Sequence, residues 1–208
     1  MARITPNENA SQNAQEQRKD RVESITAGTK IASMVGFFFE THNGNKKLQI
    51  GYAIIEDKTP IIVDGEEKTE VGLIHIDSLL IRDSVMWKHQ KWSGGCGFSE
   101  AYDNEDPDDI MKIVLSCPYV EIDIVERSYE WNGQTRSSME IQSWSKLSSF
   151  NASSFHEKVI QSCEQSFEKI IEYRVRRGDN IQRATQKVQN DENADFDNYV
   201  NDNDTIPF

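Results

Sequence analysis

The stretch YVEIDIVERSYEWNGQTRSSMEIQSW, Tyr119 to Trp144, consists of two β-rich runs joined by Asn132-Gly133. Asn-Gly is the strongest short hairpin signal, because both residues tolerate the positive φ of a two-residue turn. With that dipeptide at the turn, Trp131 lies opposite Gln134, Tyr129 opposite Arg136, Arg127 opposite Ser138 and Ile124 opposite Ile141. Side chains alternate between faces along a strand, so Ile122, Ile124 and Ile141 point to a core. The same alternation gathers Arg127, Tyr129, Trp131 and Arg136 on the opposite side of the outer half. Two flat rings and two guanidinium groups on one face suit unpaired bases and phosphates. The competing reading is Arg-on-Tyr packing for its own sake.

Upstream, Thr29 to Ile55 reads as a second long hairpin. The runs IASMVGFFF and LQIGYAII flank His42-Asn43-Gly44-Asn45. A turn at Asn43-Gly44 pairs Phe39 with Leu48, Phe37 with Ile50 and Val35 with Tyr52 on a core face. Glu40 opposite Lys47 and Phe38 opposite Gln49 fall on the other face. Phe38 is then either buried beneath a neighbouring element or an exposed stacking ring.

Between the hairpins, Glu56 to Glu70 reads as a polar connection or a small excursion of the sheet, and Val71 to Arg82 as a strand. Next comes Trp87-Lys88-His89-Gln90-Lys91-Trp92. Two indoles bracketing two lysines offer rings for bases and cations for phosphates, against the alternative of structural tryptophans with solvated lysines. The following Ser93-Gly94-Gly95-Cys96-Gly97 carries no Gly-Lys-Ser/Thr, so it is no phosphate loop. The acids from Glu100 to Asp109 lack EF-hand spacing. They read instead as a helix start, with Asp106 as cap, Pro107 in the first turn, and Ile110, Ile113 and Val114 on one face.

After the second hairpin, Phe155, Val159, Cys163, Phe167 and Ile170/Ile171 recur at helical spacing. Ser153 or Ser154 is placed to cap this helix, and Gly178 ends it. Packing on the sheet and self-association into a homo-oligomer both remain open for it. The chain closes in DENADFDNYVNDNDTIPF, Asp191 to Phe208, with six acids and no Lys or Arg. So few apolar side chains cannot offset the entropy of ordering, and a mobile tail is expected. Pro207 stiffens the approach to Phe208, which suits capture by an apolar pocket with a basic rim.

Composition sets the bounds. The 208 residues divide into a polar extension (1–24), a β domain (25–150), a helix (151–178) and a linker with acidic tail (179–208). The net charge of −12 does not favour a nucleic-acid partner. Six of those charges lie in Asp191–Phe208 and six in Glu100–Asp109, however, so the remainder is about neutral and leaves room for a local basic face. Three cysteines without Cys-x-x-Cys spacing read as reduced thiols of a cytosolic protein. No apolar run is long enough to cross a membrane, and neither a metal-ligand spacing nor a nucleophile motif appears. A non-enzyme without cofactor is expected. A nuclease built on Asp103 to Asp109 is the enzymatic alternative.

Two parts of the chain resemble bacterial and phage single-stranded-DNA-binding proteins. Gly133-Gln134-x-Arg136-x-x-x-Glu140 after Trp131 is similar to the hairpin before that family's last barrel strand. The ending Asp202-x-Asp204-x-Ile206-Pro207-Phe208 is similar to its C-terminus. The resemblance loosely covers Thr29 to Lys146, with connections after Ile55 and Arg82 that are longer than usual and fit a phage-type branch. It implies an all-β core with an OB-fold, a five-stranded barrel with a helix between its third and fourth strands. The helix read from its apolar spacing is expected to follow the barrel, and the composition of both ends leads us to expect disordered terminal segments. The resemblance also implies base stacking at Trp131, and recruitment of replication, recombination and repair enzymes by Asp202, Asp204, Ile206, Pro207 and Phe208. The expected DNA-binding set is Phe38, Lys47, Trp87, Lys88, Lys91, Trp92, Arg127, Tyr129, Trp131 and Arg136. The expected partners are single-stranded DNA and those enzymes, in a bacterial or phage-host cytosol with no membrane. The alternative is an OB-fold adaptor that recruits proteins without touching DNA.

Overall fold

The computed structural model describes residues 24–183. In chain order, β1 (Gly28–His42) and β2 (Asn45–Asp57) form the first hairpin, and β3 (Ile61–Val63) and β4 (Glu66–Lys68) a small separate ribbon. Next come β5 (Ile74–Leu80), α1 (Met86–Gly95), α2 (Pro107–Ser116) and the second hairpin, β6 (Val120–Trp131) with β7 (Gln134–Lys146). α3 (Ser154–Arg176) and β8 (Asn180–Arg183) complete the described chain.

The main sheet runs β5-β2-β1-β6-β7 through antiparallel ladders, and β8 adds to β1. β6 covers β1 only over Gly28–Ala32, and β8 takes up the same edge at Phe38–Thr41. β5 and β7 share no ladder among the described residues, so the sheet is not closed into a barrel. α1 spans from one to the other. His89 Nε2 lies 3.3 Å from the Leu80 carbonyl at the end of β5, and Gly95 sits against the Trp144 carbonyl of β7, where a Cβ has no room.

Both Asn-Gly turns form as read, with φ of 50° at Asn43 and at Asn132. The second hairpin keeps the whole expected register from Trp131↔Gln134 to Ile124↔Ile141. The first keeps it from His42↔Asn45 to Phe37↔Ile50, then departs: a bulge between Met34 and Gly36 puts Met34, not Val35, opposite Tyr52. The bulge sends Met34 to the inner core and Val35 to the outer one. At this point Gly36 pairs with Gly51, and the ring of Phe167 fills the space that their side chains would take. A Cβ at Gly51 would stand 2.5 Å from Phe167 Cε2, and one at Gly36 2.9 Å from Cε1.

Two cores follow from this arrangement. Inside the curled sheet, Phe37, Phe39, Ile50, Ile122 and Trp144 pack together, closed by Trp92 of α1 and Ile110 and Ile113 of α2. On the outer face, α3 lays Cys163, Phe167 and Ile171 over Val35, Phe38 and Ala53. β1 and β2 are thus covered on both sides, which accounts for their near-continuous apolar runs. α2 starts as its sequence predicts, with Asp106 accepting from the Asp108 amide at 2.9 Å and Pro107 in the first turn. α3 starts at Ser153, whose hydroxyl accepts from the His156 amide while His156 Nδ1 accepts from the Ser153 amide. Phe155 is a correction: it is exposed in the first turn, outside the stripe that packs on the sheet. Asn180–Arg183, expected as linker, pairs with β1 instead.

One buried charge cluster has no signature in the sequence. Lys30 Nζ lies 2.8 Å from Glu70 Oε2 with both side chains fully buried, and Glu70 Oε1 accepts from the Thr26 amide and hydroxyl. Breaking such a pair costs far more than forming it contributes. Cys96, Cys117 and Cys163 are all buried, and none is joined in a disulfide. No helix among the described residues is long and apolar enough to cross a membrane.

Candidate functional site

The outer half of the β6–β7 hairpin is an arm. Every residue from Glu126 to Ser137 is exposed, whereas Val120, Ile122 and Ile124 at its base are buried. The observed register places Arg127, Tyr129 and Trp131 on one face, with Arg136 directly across from Tyr129. Glu126 and Glu130 go to the other face. The arm is therefore polarised, rings and guanidiniums on one side and acids on the reverse. Tyr129 and Trp131 are 46% and 55% exposed, so both rings are free to be covered.

At the base of the arm lies a cleft of about 450 Å³ lined by Trp87, Lys88 and Lys91 of α1 and by Arg127, Glu140 and Trp144 of the hairpin. Helical geometry explains why α1 contributes this set. Trp87 and Lys91 are one turn apart on one face with Lys88 beside them, whereas Trp92 is rotated by about 140° from Trp87. Trp92 consequently enters the core with His89 and Ser93, and Trp87 stays 60% exposed. Arg127 belongs to both surfaces and makes the cleft continuous with the ring-bearing face of the arm.

Of the ten residues predicted to bind DNA, seven thus fall on these two adjoining surfaces. Three do not. Phe38 is fully buried beneath α3, 5.9 Å from the Phe167 ring centre, with the Arg174 guanidinium 5.5 Å from its own. Trp92 is fully buried against Tyr102. Neither ring has a free face for a base, and both are corrected to core residues. Lys47 lies on the first hairpin opposite Glu40. Arg174 of α3 binds that glutamate at 3.3 Å, so Lys47 sits on the α3 side, away from the cleft. The tail residues Asp202, Asp204, Ile206, Pro207 and Phe208 lie outside the described residues.

Charges in the cleft are largely pre-paired. Arg127 Nε is 3.3 Å from Glu140 Oε2, and Lys88 Nζ is 3.4 Å from Asp77 Oδ1. Behind that pair, β5 buries Asp77 and His75 on the inner face of the sheet. Burial, then the nearby Lys88 and Lys30 ammoniums, push the His75 imidazole down to about 4, so it is neutral near pH 7. Burial raises the Asp77 carboxyl, with Lys88 acting against it. The indole N–H of Trp144 donates to Tyr52 Oη at 3.1 Å and fixes the inner wall. Sequence reasoning missed Glu140 and Asp77 as partners of the predicted cations. Only Glu140 had left a trace, by falling on the ring-bearing face in the predicted register.

Among the described residues no group of three or more His, Cys, Asp or Glu side chains is placed to hold a metal ion. The acids at Asp103–Asp109 are engaged locally instead. Asp109 accepts from the Asp103 amide at 2.9 Å and pairs with Lys112, and Glu105 pairs with Lys46. What the arm and cleft offer is non-covalent: rings with open faces beside cations, at a spacing along β6 of about 6.6 Å between same-face residues. No protein-family model matches the chain, and no curated protein matches it in sequence.

Proposed function

We propose that this protein binds single-stranded DNA with little sequence preference during replication, recombination or repair, in the cytosol of a bacterium or a phage host. On this reading its acidic C-terminus recruits the enzymes that act there. The observation that carries the reading is the polarised arm, whose exposed Tyr129 and Trp131 share a face with Arg127 and Arg136 and run into the Trp87–Lys91 cleft. Unspecific single-strand binding asks for rings that accept any base and cations that follow the backbone, and this surface supplies both. The sheet order adds support. An OB-fold is a five-stranded Greek-key barrel, and the resemblance places a helix between its third and fourth strands. The main path here has five strands, β5-β2-β1-β6-β7, and α2 lies between the third and fourth of them in chain order, β5 and β6. Such a barrel is often partly open.

Titration with oligo(dT) at low ionic strength, followed by tryptophan fluorescence, tests the proposal. Trp92 is fully buried and Trp144 shows only a small edge to the cleft, so most of the quenching should arise from Trp87 and Trp131 and be lost in Trp87→Phe/Trp131→Phe. Binding should weaken steeply with salt. A purified chain that ignores oligo(dT) at low salt, tail intact or removed, would refute it and leave the adaptor reading.

A further inference from the structure

Glu126 and Glu130 point to the reverse of the arm, which leaves Glu140 the one acid on its ring-bearing face between residues 125 and 140. Glu140 is also held at both oxygens. Oε2 faces Arg127 Nε at 3.3 Å, and Oε1 accepts from Ser138 Oγ at 3.3 Å. It lines the cleft with Trp87, Lys88 and Lys91, at the junction where a strand passing from cleft to arm must cross Arg127. A carboxylate presented to a guanidinium there offers the same pair of anionic oxygens as a phosphodiester. An incoming phosphate must therefore separate Arg127 from an anion that already neutralises it.

We propose that Glu140 is a built-in counter-anion of the cleft, which the phosphate backbone of single-stranded DNA displaces, and that it thereby limits affinity and sets part of the salt dependence. This rests on the single-strand-binding reading above and adds a role for an acidic residue within that site. The pair is solvent-accessible, with side-chain exposures of 60% for Arg127 and 43% for Glu140. Exposed pairs of this kind are weak, so displacement by phosphate is inexpensive and reversible.

The test is Glu140→Gln, which keeps the shape and the Ser138 hydrogen bond but removes the charge. Glu130→Gln serves as control: it makes the same charge change on the reverse face of the same arm. Oligo(dT) affinity is measured across a salt series for both and for the unaltered protein. E140Q should bind roughly three- to tenfold tighter at low salt, and E130Q less than twofold tighter. The log–log salt slope of E140Q should steepen, by no more than about 0.7, because salt then no longer also weakens a competing Arg127–Glu140 pair. Equal effects of the two variants would overturn the inference, because only net charge would then matter. Weaker binding by E140Q would also overturn it and make Glu140 a positioning residue for Arg127. If none of the three proteins binds at low salt, the single-strand reading itself fails, and this inference with it.

Discussion

Removing the ring of Trp131 should separate the proposed binding from folding stability. Trp131 is 55% exposed at the end of an arm whose neighbours are all exposed, so Trp131→Ala should alter folding stability by no more than about 0.5 kcal/mol. Its effect on binding should be far larger. A stacked base contributes about 1–3 kcal/mol by alanine substitution, which is a loss of about five- to 150-fold in affinity. Tyr129 lies two residues back on the same face, about 6.6 Å away, close enough to share one run of stacked bases. Tyr129→Ala should therefore cost a similar amount, and the double variant should fall short of additivity because the rings share a ligand. Neither ring carries charge. The salt dependence should thus stay parallel to that of the unaltered protein, whereas Arg136→Ala should flatten the slope by about 0.7. The assay is fluorescence anisotropy of labelled oligo(dT) over a salt series, with thermal melting as the folding control. Unchanged affinity in folded W131A and Y129A would refute the reasoning. A lowered affinity with a changed salt slope would count against stacking as its cause.

Three further outcomes follow from the body of the fold. Phe167→Ala removes a ring that is 1% exposed and should destabilise by about 3–5 kcal/mol in urea unfolding. Gly51→Ala should also destabilise, but the double variant should lose less than the sum, since the added methyl occupies space the ring vacated. Lys30→Met should cost about 3–5 kcal/mol by leaving Glu70 buried without its cation, and Lys30→Met/Glu70→Leu should recover much of that in the same measurement. His75 is neutral when folded but accepts a proton near 6.5 once unfolded, so the unfolded chain binds more protons between about pH 6.5 and 4. Its contribution is present in full above that window and is lost as pH falls through it, by about 3 kcal/mol at most. The raised Asp77 carboxyl opposes the trend, because it favours the folded state on acidification. His75→Gln should flatten the acid limb of the stability profile measured by urea unfolding at pH 7 and near pH 4.5.

What could be read from the chain divides along the range of the interactions involved. The β6–β7 arm was legible because a two-residue turn fixes register locally, and register alone places Arg127, Tyr129, Trp131 and Arg136. The first hairpin was legible from its turn outward only as far as Gly36, where contact with Phe167, far along the chain, coincides with the bulge. Phe38 illustrates the same limit. Its cross-strand partner Gln49 and its neighbour Glu40 are polar, which makes the face look solvated. In the fold those two bond each other at 2.6 Å, and Glu40 also receives Arg174 from α3. Polar residues on a strand mark exposure only where no element with matching donors lies over them.

The cleft shows the converse. Trp87 and Trp92 look alike in sequence, two indoles bracketing two lysines, and with no helix assigned to the segment both carry the same expected role. Wound into α1, their five-residue separation turns one outward to the cleft and the other into the core beside Tyr102. Arg127, 40 positions from Trp87, meets it only because α1 reaches from β5 to β7 across the open side of the sheet. An unclosed sheet edge filled by a helix is therefore what builds the cleft. Were β5 to pair directly with β7, no room would remain between them for the helix face that carries Trp87, Lys88 and Lys91. The same opening that keeps the sheet from closing supplies the cations on which the proposed binding depends.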